Sequence, residues 1–132
     1  MRWRAGGLAV LVFWWATPAA GQEPPRVSAL DLLVDWRGLV GTRVRVEGCA
    51  LRSATSTSVV CDARNDGGQQ VGMIFLRSGS VDREGLRRAL KECAGGTPPD
   101  RERCAAAVTG TVSRFTDESS ALDRATIEWA RP

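Results

Sequence analysis

The sequence contains no histidine and no tyrosine, and Lys91 is its single lysine. Without histidine, the chain can form neither a Ser-His-Asp nor a Cys-His catalytic group, and it has no His-ligated metal site. Acidic pairs occur at Asp82 with Glu84 and at Asp117 with Glu118, where acids suit a helix start and a hairpin tip, respectively. We therefore expect no enzyme activity, no cofactor and no metal. A nuclease-like site of acids and arginines is a remote alternative.

Residues 1–21 have the pattern of a cleaved secretory signal peptide. A basic start at Arg2 and Arg4 precedes an uncharged apolar run over 8–15, and small residues follow at 19–21. This run is shorter than the ~20 apolar residues of a spanning helix, so we expect export to the periplasm or medium without stable membrane insertion. Cleavage removes Arg2 and Arg4 and lowers the formal net charge from +3 to +1. So small a charge attracts a polyanion only weakly.

The four cysteines are an even number, which in an exported chain favours two disulfides. Three connectivities are possible, and we prefer Cys49 with Cys61 and Cys93 with Cys104. Neither pair has the two-residue spacing of a zinc knuckle or a redox motif. Each bridge would close a short loop and add about 3 kcal/mol of stability. An antiparallel hairpin folded at Thr55 would place Cys49 opposite Cys61.

Two helices are predicted. Residues 22–27 form an extended linker, and the domain over 28–131 opens with a short helix capped by Ser28. The apolar face of this helix comprises Leu30, Leu33 and Val34. A second helix begins at Ser80 or Asp82. Its buried face comprises Leu86, Ala89, Leu90 and Cys93.

Alternation of apolar and polar residues predicts five strands. They cover 42–48, 59–63, 71–77, 106–113 and 122–129. Gly48 stands where a strongly bent strand places a bulge. The order of three strands, a helix and two more strands indicates a mainly β fold: a five-stranded OB-type Greek-key barrel with one helix between strands 3 and 4 and a short N-terminal helix.

Two segments also carry a resemblance to a known family. They are Trp-Arg-Gly-Leu-Val-Gly-Thr-Arg-Val-Arg-Val-Glu-Gly over 36–48, which would open the barrel, and Val-Thr-Gly-Thr-Val over 108–112, which would form its fourth strand. In these segments the chain resembles small exported bacterial OB-fold proteins, a group similar to the anticodon-binding OB domain of tRNA synthetases. The resemblance covers most of the mature chain and implies a binding module.

OB folds bind their ligands on the face of strands two and three and on the adjoining loops. On this chain that surface comprises Arg52, Ser53, Thr55, Ser56, Arg64, Phe75, Arg77, Arg114 and Phe115. Phe75 and Trp129 are also candidates for the core, which would leave few aromatic side chains for stacking bases. We therefore expect a protein or polymeric ligand of the cell envelope. Single-stranded nucleic acid or an oligosaccharide is the alternative.

Overall fold

The computed structural model describes residues 23–53, 58–77, 79, 81–94 and 103–132. The predicted signal peptide lies outside this range. The elements in chain order are β1 (Arg26–Ser28), α1 (Ala29–Leu39), β2 (Arg43–Ser53), β3 (Val59–Arg64), β4 (Gln70–Leu76), α2 (Arg83–Glu92), β5 (Ala105–Thr116) and β6 (Ser119–Trp129). Within the described ranges, neither helix has the length and apolar character needed to cross a membrane.

Five strands close a barrel, which confirms the predicted mainly β fold. β2 pairs with β3, β3 with β4, β4 with β6, β6 with β5, and β5 returns to β2. All of these pairings are antiparallel except β4 with β6. The short β1 adds to β2 in parallel. The interpretation of 22–27 as a plain linker missed this pairing because three residues are too few to show an alternating pattern.

β2 is longer than predicted and bends at Gly48. Its residues in the hydrophobic core are Val44 and Val46 before the bend and Cys49 and Leu51 after it, so the inward positions change from even to odd. The pairing with β5 shifts register between Val46 and Cys49, and Gly48 has a φ of +82°. This is the predicted bulge. It lets one strand continue past the bend instead of ending there, and both halves contribute to the core.

Adding a methyl group at Gly48 and at Gly38 is expected to change stability in opposite directions. Gly48 has a left-handed φ with no atom within 4 Å of a Cβ, so Gly48→Ala should lose about 1 kcal/mol through backbone conformation alone. Gly38 is exposed within α1 and is equally open, so Gly38→Ala should gain about 0.5 kcal/mol. Urea unfolding of both variants measures the two signs, and a stabilising Gly48→Ala would contradict the bulge.

The first helix begins as predicted, but its buried face differs. Ser28 Oγ accepts a hydrogen bond from the Asp31 N–H at 3.0 Å. The fully buried side chains are Ala29, Leu32 and Trp36, at i, i+3 and i+7, whereas Val34 is 77% exposed. The prediction for Val34 was therefore wrong. The spacing of the leucines and the valine did not indicate that Trp36 is buried. The face of α1 that packs on the barrel is therefore the one that carries Trp36.

A glycine on β4 sets how closely α1 approaches the sheet. A Cβ on Gly72 would lie 2.7 Å from Leu33 Cδ1. Such a contact is far below van der Waals distance, so a Cβ at this position would require the Leu33 side chain to shift. Gly72 thus leaves room for the Leu33 side chain of α1 against the barrel wall.

The N-cap residue of α2, Asp82, also forms a hydrogen bond to the barrel strand β6. Asp82 Oδ2 accepts from the Gly85 N–H at 2.8 Å, while Oδ1 accepts from the Ile127 N–H of β6 at 2.9 Å. The alternative cap, Ser80, lies outside the described residues. Ala89 and Cys93 are fully buried, as predicted.

Both disulfides have the predicted pairing. Cys49 bonds to Cys61 and Cys93 to Cys104. The second bridge lies beside the end of β2, since the Ser53 N–H donates to the Cys93 carbonyl at 2.8 Å. It therefore ties the exit of α2 to the start of β5 at the same place where β2 ends.

The register of the first hairpin differs from the predicted one. Cys61 lies opposite Leu51 and not opposite Cys49. The Cys49–Cys61 bridge is thus a diagonal contact on the inner face, with Cα atoms 5.0 Å apart. The bulge at Gly48 directly precedes Cys49, and the extra twist that a bulge introduces brings this diagonal pair together. The midpoint of two cysteines in sequence does not reveal such a twist.

Candidate ligand-binding face

Side chains on the outward side of three neighbouring strands lie together in one cluster, which we call the outer face; Val60 and Asp62 in it are covered by their neighbours. It comprises Arg52 of β2, Val60, Asp62 and Arg64 of β3, and Met73 and Phe75 of β4. Alternate residues of β3 point into the core, so this surface lies on the opposite side of the strand. Val60 lies opposite Arg52 on one side and opposite Phe75 on the other. Arg52, Val60 and Phe75 therefore form one row across the three strands.

The carboxylate of Asp62 is the centre of the outer face and is only 1% exposed. Arg52 Nε donates to Oδ2 at 3.0 Å and Arg52 Nη2 donates to Oδ1 at 3.2 Å, a two-point pairing that fixes the guanidinium orientation. Gln70 Nε2 donates to Oδ1 at 3.1 Å. The buried charge is thus compensated by hydrogen bonds, as burial of a carboxylate requires.

Arg64 approaches the same carboxylate from along β3. Its Nη2 lies 3.9 Å from Asp62 Oδ2, and its Nη1 donates to the Gly68 carbonyl at 2.9 Å. Two of the predicted binding residues, Arg52 and Arg64, therefore converge on Asp62, which the sequence reasoning did not single out. The signal was present, because Asp62 is the charged residue in a buried apolar run and strand alternation puts it on the same side as Arg64.

The carboxylate of Asp62 stabilises the charged form of Arg52. Hydrogen bonds to the Asp62 side chain raise the pKa of Arg52 above its ordinary value, and the Coulombic attraction of the same carboxylate adds to this. Burial acts in the opposite direction and does not cancel the effect. The outer face thus carries a permanent cation with a fixed orientation.

The substitution Asp62→Asn is expected to lower the free energy of unfolding by about 2 kcal/mol. It preserves the shape of the side chain but removes the charge that Arg52 and Arg64 face. Arg52 is 24% exposed, so water replaces part of the lost interaction and the effect stays below the roughly 3–5 kcal/mol of a fully buried pair.

Urea unfolding measures this effect, and Asp117→Asn is the matched control. The Asp117 carboxylate is 97% exposed and faces Arg114 at 3.4 Å, so its loss should change stability very little. An equal response of the two variants would show that the Asp62 pair adds nothing beyond a surface ion pair.

An aromatic ledge, formed by Phe75 and Phe115, adjoins this cluster. The two rings are stacked with centroids 4.1 Å apart and an angle of 11° between their planes. Phe115 is 45% exposed and Phe75 is half-buried beneath it. Phe75 does not belong to the core, so that expectation was wrong: Ile74 and Leu76 face inward, and alternation turns Phe75 outward.

Two further predicted residues, Arg77 and Arg114, flank the ledge. The Arg77 guanidinium lies 5.7 Å from the centroid of Phe115, and Nη2 donates to the Arg114 carbonyl at 2.7 Å. Arg77 Nε also lies 2.7 Å from an Asp123 carboxylate oxygen. Arg114 faces Asp117 at 3.4 Å. Each of these cations has a carboxylate partner, so the ledge is not bordered by an uncompensated basic groove in the described part of the chain.

The remaining predicted residues do not join the outer face. Ser53 is 7% exposed and lies at the end of the barrel, where an isolated bridge pairs it with Ala94. Its side chain is therefore covered. Thr55 and Ser56 lie outside the described residues.

Apart from the outer face, the barrel has a cleft beside Gly48 with a volume of about 330 Å³. Its charged groups satisfy one another: Arg45 Nε donates to Glu47 at 2.9 Å, and Arg45 Nη2 pairs with Glu128. Bonds to Glu128 and then to Glu47 raise the pKa of Arg45. Each charged side chain that the structure describes along this cleft has a partner, which makes the outer face the better candidate.

Guanidinium groups, a buried carboxylate and a stacked ring pair can hold an anionic and a flat apolar group of a ligand. Among the described residues, no group of three or more histidine, cysteine, aspartate or glutamate side chains is placed to hold a metal ion. No protein-family model matches the chain, and no curated protein is significantly similar to it.

Proposed function

We propose that this chain is an exported, non-enzymatic OB-type module that binds a protein or polymeric ligand of the cell envelope through its outer face. The observation that carries the proposal is the exposed ring of Phe115, stacked on Phe75 beside the Asp62 cluster. A flat apolar surface that is held rigidly on a barrel is well suited to bind a ligand, because its side chains lose little conformational entropy when the ligand covers them.

The strand order supports the OB-type assignment. β2, β3 and β4 follow one another as neighbours, and β5 returns to lie beside β2 after the long connection that contains α2. Three consecutive strands with a fourth beside the first are the arrangement of a Greek key. In the OB fold the second and third barrel strands carry the ligand. They correspond here to β3 and β4, the strands that hold Asp62 and Phe75.

Export is supported by the apolar run over 8–15 and by the two disulfides. Cross-links of this kind persist in oxidising compartments. In the envelope, proteins and glycans are abundant partners. The paired arginines around the ledge argue against a nucleic acid, whose regularly spaced phosphates favour a basic groove with many free cations.

Capture from a cell-envelope extract tests this function. The immobilised protein, produced from the full sequence, should retain a species that Phe115→Ala loses by at least tenfold. Val34→Ala is the control: it truncates an apolar side chain that is 77% exposed on α1, outside the outer face, and it should retain the species fully. Mass spectrometry and sugar analysis then identify the retained species as protein or glycan.

Retention that is unchanged in Phe115→Ala, or lost equally in Val34→Ala, would contradict binding through the outer face. A competition with a single-stranded oligonucleotide covers the alternative. If the oligonucleotide binds tightly and its affinity falls steeply with salt, a polyanion is the ligand and the proposal is wrong.

A further inference from the structure

We infer that Arg52 and Arg64 form a subsite for a single anionic group, a carboxylate or a phosphate, of the ligand bound on the outer face. The identity of the ligand rests on the proposed function. The subsite itself depends only on the two guanidinium groups and on the carboxylate that positions them.

Around Asp62 there are two positive charges and one negative charge. Two guanidinium groups lie within 4 Å of its carboxylate, at 3.0 Å for Arg52 and 3.9 Å for Arg64. The other side chains at this carboxylate and its cations, Gln70 and Met73, are uncharged. One positive charge is therefore left without a partner among the described residues. In a partly desolvated position such a charge attracts an anion more strongly than a cation in open water does.

Hydrogen-bond donors are also left over. Arg52 uses Nε and Nη2 on Asp62, which leaves Nη1 without a described partner. The Nη2 of Arg64 is too far from Asp62 for a hydrogen bond, and its Nε is buried without any acceptor in the described part of the chain. An unpaired buried donor is unfavourable. The buried Nε is closed to a solute, so an incoming oxyanion would accept from Arg52 Nη1 and Arg64 Nη2 instead.

The subsite is both accessible and rigid. The side chains of Arg52 and Arg64 are 24% and 22% exposed, so a solute can reach them. Asp62, fully buried beneath them, holds Arg52 in place by two bonds. A purely structural ion pair needs one guanidinium. Here a second guanidinium, that of Arg64, lies beside the same carboxylate and is only partly neutralised by it, which distinguishes this cluster from a structural ion pair. Because both guanidinium groups are held in place before an anion arrives, the entropic cost of binding the anion is lower.

The position of the subsite relative to the ledge constrains the ligand. Arg52 and Phe75 lie in one row, with Val60 between them. Two strand spacings separate them, or about 10 Å between Cα atoms. A ligand that uses both features therefore has to extend across β2, β3 and β4 of the outer face.

Titration with inorganic phosphate tests the subsite without the natural ligand. In ¹⁵N-labelled protein, the Nε–H resonances of Arg52 and Arg64 should shift in a saturable manner, while potassium chloride at the same ionic strength should not shift them. Arg64→Gln should weaken the phosphate response of Arg52 at least tenfold. Arg87→Gln is the matched control, because Arg87 is exposed on α2 and pairs with Glu84; it should leave the response unchanged.

Acetate in a parallel titration distinguishes a carboxylate from a phosphate as the preferred group. If neither anion gives a saturable shift beyond that of chloride, or if Arg64→Gln responds like the unmodified protein, the subsite is refuted. The thermal unfolding of each variant confirms that it is folded during the titration.

The two proposals fail in different ways. Phe115→Ala should lose the envelope species but keep the phosphate response. Phosphate binding without any Phe115-dependent capture would refute the proposed function and leave the subsite intact. Capture that depends on Phe115, together with no response to phosphate or acetate, would refute the subsite alone.

Discussion

Removal of both disulfides is expected to lower the free energy of unfolding by about 6 kcal/mol. Cys49–Cys61 and Cys93–Cys104 join residues 12 and 11 positions apart. Cross-links over loops of this length each add about 3 kcal/mol, by restricting the unfolded chain. Small domains have a total stability of only about 5–15 kcal/mol, so the reduced protein should lose a large part of its stability and unfold at a much lower urea concentration.

Urea unfolding with and without dithiothreitol measures this loss, and the variants Cys49→Ala/Cys61→Ala and Cys93→Ala/Cys104→Ala separate the two contributions. Each pair of substitutions should account for about half of the total. A combined loss below about 2 kcal/mol would show that the barrel is held by its apolar core and that the bridges matter little.

The substitution Trp36→Ala is expected to cost about 3–5 kcal/mol. Trp36 is 2% exposed and is the largest of the fully buried side chains in the described residues. It anchors α1 to the barrel, and the guanidinium groups of Arg37 and Arg114 lie 4.6 and 5.5 Å from its ring. Its removal thus leaves a cavity and also withdraws two cation–π contacts.

Val34→Ala on the same helix is the control for this substitution. Its side chain is 77% exposed, so stability should change by no more than about 0.5 kcal/mol. Urea unfolding of the two variants gives the comparison. A cost below about 1 kcal/mol for Trp36→Ala would mean that α1 is not fixed to the barrel as described.

Features encoded locally could be predicted from the sequence. Alternation identified Val44 and Val46 as inward residues, and a glycine at the bend of β2 indicated the bulge at Gly48. The even number of cysteines and their spacing identified Cys49–Cys61 as one of two bridges. The first two signals depend on neighbouring residues within a single strand, and the third depends on two strands that follow each other in the sequence.

Features that depend on how strands are staggered could not be predicted. Phe75 and Phe115 are 40 residues apart in the sequence, and their stacking arises from the closure of the barrel. Asp62 was recognisable as a charged residue in an apolar run, but its pairing with Arg52 could not be predicted, because Arg52 lies on another strand. Arginines that bind a ligand and arginines that pair with a buried acid look alike in a sequence.

The most direct test of the account is the footprint of the captured envelope ligand, measured by hydrogen–deuterium exchange. With the ligand bound, we expect slower amide exchange in β3, in β4 and in the end of β5 that carries Phe115, and unchanged exchange in α1. Protection confined to α1, or to the cleft beside Gly48, would contradict the assignment of the outer face as the binding surface.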